Sequence, residues 1–340
     1  MTDADASPSP ASVPARAPID VDPARSQALT GSDPSAADGI AALPHWGVIV
    51  ARGEDAASFL HGQLTQDVSS LSAGQARLAG YCSPKGRLLA SFVVWRCGDG
   101  SLALACSADV LAPTLKRLSM FVLRARCNLA DATAELPLWG LTGEAAGRAL
   151  GPSALAARPW DQGVFDGSSW LRLPDAAGVP RWMLAGTDAP ARLSLPEVPS
   201  QRWQLLEVCS GLPRITAATA DHFVPQMVNF ELVGGVNFKK GCYPGQEVVA
   251  RSQYRGTLKR RLFLMTAHGE LAPGTEVFHS DDPSQPAGEV VNAAAGPDGT
   301  WAALVEAKLA LVEAGGSFHA AGGPSLTLSA LPYSIPKDAD

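Results

Sequence analysis

Apolar and polar positions along this chain change their spacing several times, and the spacing assigns the elements. Trp46-Gly47-Val48-Ile49-Val50 is a continuous apolar run that reads as a first strand. Gly53 and Glu54 break it, and Asp55 is placed to cap a short helix with Phe59 and Leu60 on one face. Residues 76–82 and 88–97 are strand-like and are joined by the turn Ser83-Pro84-Lys85-Gly86. Residues 102–106 read as another strand. Leu111, Leu115, Leu118 and Val122 recur at helical spacing, which predicts a helix over 109–122 with Pro113 near its start. From 125 to 184 the chain is strand-like and loop-rich. Trp203, Leu205, Leu206 and Val208 suit a buried helix over 201–209, ended by Gly211-Leu212-Pro213. Val236-Asn237-Phe238 reads as a strand. Gly241, Pro244 and Gly245 then interrupt the chain, and 247–251 run on as a helix.

From 257 to 331 the character changes. Short apolar runs such as Leu262-Phe263-Leu264-Met265 and Trp301-Ala302-Ala303-Leu304-Val305 alternate with Gly, Pro and Asp turns. That is the pattern of a small antiparallel barrel. Residues 1–40 are rich in Ala, Pro, Ser and Asp, offer little to bury and read as a disordered tail. The expected organisation is a tail over 1–40, an α+β region over 41–256, a β-barrel over 257–335 and a short tail over 336–340.

With 340 residues, 46% of them hydrophobic, the chain exceeds one ordinary core. Its net charge is -6, from 27 basic and 33 acidic side chains. A surface that grips nucleic acid throughout is excluded, and no direct nucleic-acid contact is expected. One stretch runs against this balance. Between 239 and 261, Lys239, Lys240, Arg251, Arg255, Lys259, Arg260 and Arg261 face the single acid Glu247. This suits a solvated face, an anionic ligand or an acidic partner. The six cysteines (Cys82, Cys97, Cys106, Cys127, Cys209 and Cys242) form no C-x-x-C pair, and the six histidines are scattered. No stably bound metal is therefore expected. The start of the chain lacks the basic and apolar regions of a signal peptide, and no apolar run reaches membrane-spanning length. The expected home is a reducing cytoplasm with free thiols and no membrane partner.

The densest chemistry lies in Lys240-Gly241-Cys242-Tyr243-Pro244-Gly245-Gln246-Glu247. One thiol sits in a Gly/Pro turn, just before a helix and beside Lys239 and Lys240. Unpaired N–H groups at a helix start and nearby cations both favour thiolate over thiol. A small apolar cysteine in a structural turn is the competing reading.

This octet resembles the signature K-G-C-[FY]-x-G-Q-E of the YgfZ family. The segment from Val50 to Leu60, with Gln63, Thr65, Asp67 and Val68, is similar to the family's opening segment. Cys82-Ser83-Pro84-Lys85-Gly86-Arg87-Leu88, the block from Glu207 to Ile215 and Phe223-Val224-Pro225-Gln226-Met227-Val228-Asn229 resemble its later blocks in order. The family's members are folate-binding proteins that support iron–sulfur enzymes, related to the glycine-cleavage T-protein, an aminomethyltransferase. The resemblance implies two mixed α/β units around a central folate channel, followed by the barrel. It implies tetrahydrofolate or a related folate as cofactor. The implied partners are iron–sulfur enzymes or cluster-assembly proteins, including clients that modify tRNA. It makes Cys242 the functional thiol and Glu207 the carboxylate that meets the pterin. Lys240, Gly241, Tyr243, Gly245, Gln246, Glu247 and Arg251 then join the folate site, with Trp182 as a stacking group or a core residue. Gln246 stands where the T-protein has arginine. Ala90 and Ser91 stand where the T-protein has its essential aspartate, which argues against aminomethyl transfer. Three readings follow: a folate-dependent accessory protein, a tetrahydrofolate-dependent aminomethyltransferase, and a thiol-redox enzyme without folate.

Overall fold

The computed structural model describes residues 38–187, 189–256 and 258–336. The expected tails thus lie largely outside the described residues. The N-terminal boundary shifts, because Gly39 and Ile40 already belong to a strand rather than a tail.

The first half runs β1 (Gly39–Ala42), β2 (Trp46–Arg52), α1 (Ala56–His61), β3 (Ala76–Cys82), β4 (Leu88–Arg96), β5 (Leu102–Ser107), α2 (Ala108–Met120) and β6 (Asn128–Asp131). Next come β7 (Leu138–Thr142), α3 (Glu144–Leu150), α4 (Pro152–Leu155), β8 (Gln162–Phe165), β9 (Ser168–Ala176) and β10 (Val179–Ala185). Helices α5 (Ala189–Arg192), α6 (Ser200–Cys209) and α7 (Gln246–Tyr254) follow. The C-terminal part contains β11 (Arg260–His268), β12 (Glu276–His279), β13 (Gly288–Ala295), β14 (Thr300–Lys308), α8 (Leu309–Ala314), β15 (Phe318–Ala320) and β16 (Ser325–Ser329).

Two antiparallel sheets form the α+β part, in the orders β3-β4-β5-β2-β6 and β1-β7-β10-β9-β8. The C-terminal strands close a barrel in the order β11-β14-β13-β12-β15-β16. Strand β4 is apolar at nearly every position from Leu88 to Trp95, with Ser91 the exception. Ala90, Phe92 and Val94 enter the core covered by α1 and α2, whereas Val93 and Trp95 enter a second core shared with α6, Phe230 and the barrel's Leu262. A sheet buried on both faces has no polar side to alternate with. Helix α6 belongs to the second core and buries Trp203, Leu205, Leu206, Val208 and Cys209. The barrel is tied to the loop after α6 at a bulge in β13, where Asn292 accepts from the Arg214 N–H (2.9 Å) and donates to its carbonyl (2.7 Å).

Two local expectations are corrected. Residues 236–238 form no strand: the Asn237 N–H donates to the Thr65 carbonyl (2.9 Å), so this segment is pinned to the loop after α1. Asp55 does not cap α1 with its side chain; its carboxylate accepts from the Arg126 N–H (2.8 Å) instead.

Candidate functional site

The thiol turn is built by a close approach of two glycines. Gly245 has φ of 78°, and a Cβ there would lie 2.4 Å from the Ser83 carbonyl oxygen and 2.6 Å from Gly86 Cα. Gly86 has φ of 73°, and its Cβ would strike Val248. The turn before α7 is therefore pressed against the Ser83–Gly86 turn, and neither glycine position accepts a side chain. Tyr243 is buried below, and Cys242 is exposed. Of the other cysteines, Cys82, Cys106 and Cys209 are buried and pushed up to about 12 by burial. They are poor nucleophiles at neutral pH.

Lys240 is half-buried. Its ammonium donates to the His61 carbonyl (2.7 Å) and the Gly241 carbonyl (3.1 Å), and it lies 4.8 Å from the centre of the Tyr243 ring. Burial pushes it down to about 8, against the opposing charges of Asp67 and Cys242. On the other side of the turn, His61 Nδ1 meets Asp67 Oδ1 at 2.9 Å. Burial pushes the Asp67 carboxyl up, but hydrogen bonds from Ser69, Ser70 and His61 override it and hold the group well below the usual carboxylate range. Glu247 and Arg251 lie on the exposed face of α7, and Gln246 is half-buried at its first position.

Glu207 lies in a different cluster. Its Oε1 accepts from the indole N–H of Trp46 (2.6 Å) and of Trp203 (2.6 Å). Its Oε2 pairs with His45 Nε2 at 3.1 Å, and Arg214 Nε stands 3.8 Å away. Burial raises the Glu207 carboxyl, yet the His45 hydrogen bond, the Arg214 and His45 charges and the Trp46 hydrogen bond bring it down to about 2. Arg214 also lies over the Trp46 ring (5.5 Å), and the buried Arg181 over the Trp203 ring (5.2 Å). An ionised carboxylate has about four lone-pair positions. Three are filled by the protein, and one on Oε2 stays open, with the side chain 14% exposed.

Trp182 does not belong with these residues. It is 1% exposed in the core of the second sheet, donates to the Ala154 carbonyl (3.2 Å) and carries the Arg172 guanidinium on its ring. No ring face is left for a ligand, so Trp182 is a core residue. His45, Trp46, Trp203 and Arg214 were not singled out from sequence, nor was His61. His45 and Trp46 directly precede or open β2, and only the sheet brings them to α6.

Ser91 and Ala90 face opposite ways. Ala90 is fully buried against α1 and α2. Ser91 Oγ accepts from the Ile215 N–H (3.0 Å), next to Arg214 and hence toward the Glu207 cluster. The position that could carry a carboxylate into that cluster is Ser91.

No family model matches the chain. Individual proteins do. The chain is 32% identical over 243 residues to the tRNA-modifying protein YgfZ of Escherichia coli O6:K15:H31, covering 68% of this chain and 72% of that protein. It is 34% identical over 241 residues to the YgfZ protein of Edwardsiella ictaluri, with the same coverage. The chain belongs to the family of the tRNA-modifying protein YgfZ. Among solved structures, the glycine cleavage system aminomethyltransferase T of Bartonella henselae superposes with a TM-score of 0.71, at 17% identity, over 91% of this chain and 88% of its own. The fold is thus that of an aminomethyltransferase T with a C-terminal barrel. No helix among the described residues is long and apolar enough to cross a membrane, and no group of three metal-ligating side chains is assembled there.

Proposed function

We propose that this protein is a folate-binding accessory protein for iron–sulfur cluster assembly or repair, whose clients include enzymes that modify tRNA. The observation that carries the reading is the exposed Cys242, held by the Gly245–Gly86 contact and by the half-buried Lys240. A fold that commits two close-packed glycines in the left-handed region and a half-buried lysine to presenting one thiol presents it for use. The partners are iron–sulfur enzymes or cluster-assembly proteins rather than nucleic acid itself. A reducing cytoplasm suits six free thiols.

Folate fits the Glu207 cluster in part. The pterin edge offers two donors side by side, and Glu207 has one open lone-pair position. His45, 15% exposed at its side chain, is the group that yields the second. Bound tetrahydrofolate would supply a reduced one-carbon carrier. Glu207 would accept from it, Trp46 and Trp203 would fix the carboxylate, and Arg214 would add positive charge. Lys240, Gly241, Tyr243, Gly245, Gln246, Glu247 and Arg251 belong to the thiol turn and its helix, and their part is to present Cys242. With Ser91 where an aminomethyltransferase needs a carboxylate, binding occurs without aminomethyl transfer.

Calorimetric titration with tetrahydrofolate and a one-carbon transfer assay with the other glycine-cleavage components, on one sample, test this reading. Binding without turnover is expected. In a deletion strain, Cys242→Ala is expected to leave iron–sulfur enzyme activities unrestored. Robust turnover would favour the transferase. Full complementation by Cys242→Ala would make the thiol structural.

A further inference from the structure

Beside the thiol lies a histidine whose two nitrogens have different company. Asp67 is ionised and can only accept, so His61 Nδ1 must carry the proton of their 2.9 Å hydrogen bond. Ser69 Oγ donates to the same carboxylate oxygen (2.7 Å), and Ser70 Oγ to the other (2.8 Å). Arg77 of β3 binds the Asp67 carbonyl, which fixes the loop from behind. The tautomer is thereby set, with the lone pair on Nε2. Nε2 makes no hydrogen bond among the described residues. It points at the thiol turn: a Cβ added to Gly241 would lie 3.5 Å from it, the nearest heavy atom at that position. Lys240, on the same turn, donates to the His61 carbonyl (2.7 Å), so the histidine is tied to a residue two positions before Cys242.

A nucleophile, a base and a third group that orients the base is the general arrangement for activating a thiol. We propose that His61, oriented by Asp67, is the base that takes the proton of Cys242, preparing a thiolate–imidazolium pair for attack on a disulfide sulfur. This rests on the reading that Cys242 is the working thiol. In the step, the Sγ–H bond breaks and the proton passes to Nε2. The thiolate forms a new S–S bond with an organic disulfide, whose own S–S bond breaks. Its electron pair leaves on the departing sulfur, which takes the proton back from His61. One thiol and one disulfide are consumed and one of each is formed, so no further oxidant is needed. Asp67 is a positioning residue here.

The charged and titratable groups that face the pair are Asp67 from the loop after α1, Lys240 and Tyr243 from the thiol turn, and Arg77 behind Asp67. Asp67 is held well below the usual carboxylate range, burial brings Lys240 down only to about 8 and pushes Tyr243 up, so a rate difference between the native protein and His61→Gln near neutral pH reports the histidine itself. The test is the rate of Cys242 modification by iodoacetamide and by cystamine, followed on the Cys242 peptide by mass spectrometry across pH. At about pH 6.5 the native protein should react about ten-fold or more faster than His61→Gln. The two should converge in alkaline solution, where hydroxide removes the thiol proton in place of the histidine. Asp67→Asn should fall between them, with circular dichroism showing that the loop has not unfolded the chain. Superimposable profiles for the native protein and His61→Gln would overturn the proposal. The outcome is independent of the cellular reading, since Cys242→Ala complementation tests whether the thiol is used and the rate profile tests what activates it.

Discussion

At the residue scale, Glu207 has two roles with separable signatures. It ties Trp46 and Trp203 together, and in the proposed function it meets the folate. Glu207→Gln is expected to weaken tetrahydrofolate binding by roughly ten-fold to a hundred-fold, the cost of losing a charge-assisted hydrogen bond. Calorimetry on the folded variant reads this, and unchanged affinity would remove Glu207 from the ligand. The same carboxyl contributes to acid stability. Its folded value, about 2, lies below the ordinary 4.5, so its contribution is complete above about 4.5 and is lost as pH falls toward about 2. Thermal melting across that window should be steeper for the native protein than for Glu207→Gln.

At the element scale, the contact between the thiol turn and the Ser83–Gly86 turn does the positioning. Gly245→Ala places a methyl against the Ser83 carbonyl and Gly86, in a conformation that L side chains avoid. A loss of about 1–3 kcal/mol is expected, read by urea unfolding, together with loss of complementation. Gly241→Ala is the control within the same turn: its Cβ would find nothing nearer than 3.5 Å, so stability should change little. Strand β4 supplies a second contrast. Ser91→Asp directs a carboxylate toward the Arg214 side and should fold, yet without full aminomethyl transfer, because the uncharged Gln246 supplies no cation of its own. Ala90→Asp buries a charge between α1 and α2 and should lower the melting temperature sharply. An Ala90→Asp variant as stable as the native protein would refute that placement.

At the scale of the molecule, the barrel holds an acid shifted in the opposite direction to Glu207. Glu306, on β14, is 1% exposed, and burial pushes it up to about 7 despite the Arg260 guanidinium at 2.6 Å. It faces Glu289 across the β13–β14 ladder, and its Oε1 has no hydrogen-bond partner. A raised acid binds its proton more tightly folded than unfolded, so its contribution is present at low pH and falls as pH rises from about 4.5 to about 7. Glu207 and Glu306 therefore pull stability in opposite directions on either side of about pH 4.5. Glu306→Gln should flatten the upper side alone, and an unchanged melting-temperature profile between pH 5 and about 8 would contradict this.

Local spacing determined most elements by itself: the helices read over 109–122, 201–209 and 247–251 form at Ala108–Met120, Ser200–Cys209 and Gln246–Tyr254, and the β3–β4 hairpin and the barrel follow from apolar runs and breakers, because each element buries one patterned set of side chains. The octet likewise marked the turn that presents the exposed Cys242, since a Gly/Pro-rich thiol motif is dense in residues with special backbone or chemical roles. Three things were decided only by tertiary structure. Val236 is buried and Phe238 half-buried without being in a strand, because the backbone between them bonds to the Thr65 loop and not to a neighbouring strand. Trp182 is core and Trp46 and Trp203 hold the carboxylate, because an indole's surroundings depend on which sheet face it occupies. His61 meets the thiol turn across a separation of 179 residues, measured at Lys240, and no local pattern encodes a contact that chain folding alone brings together.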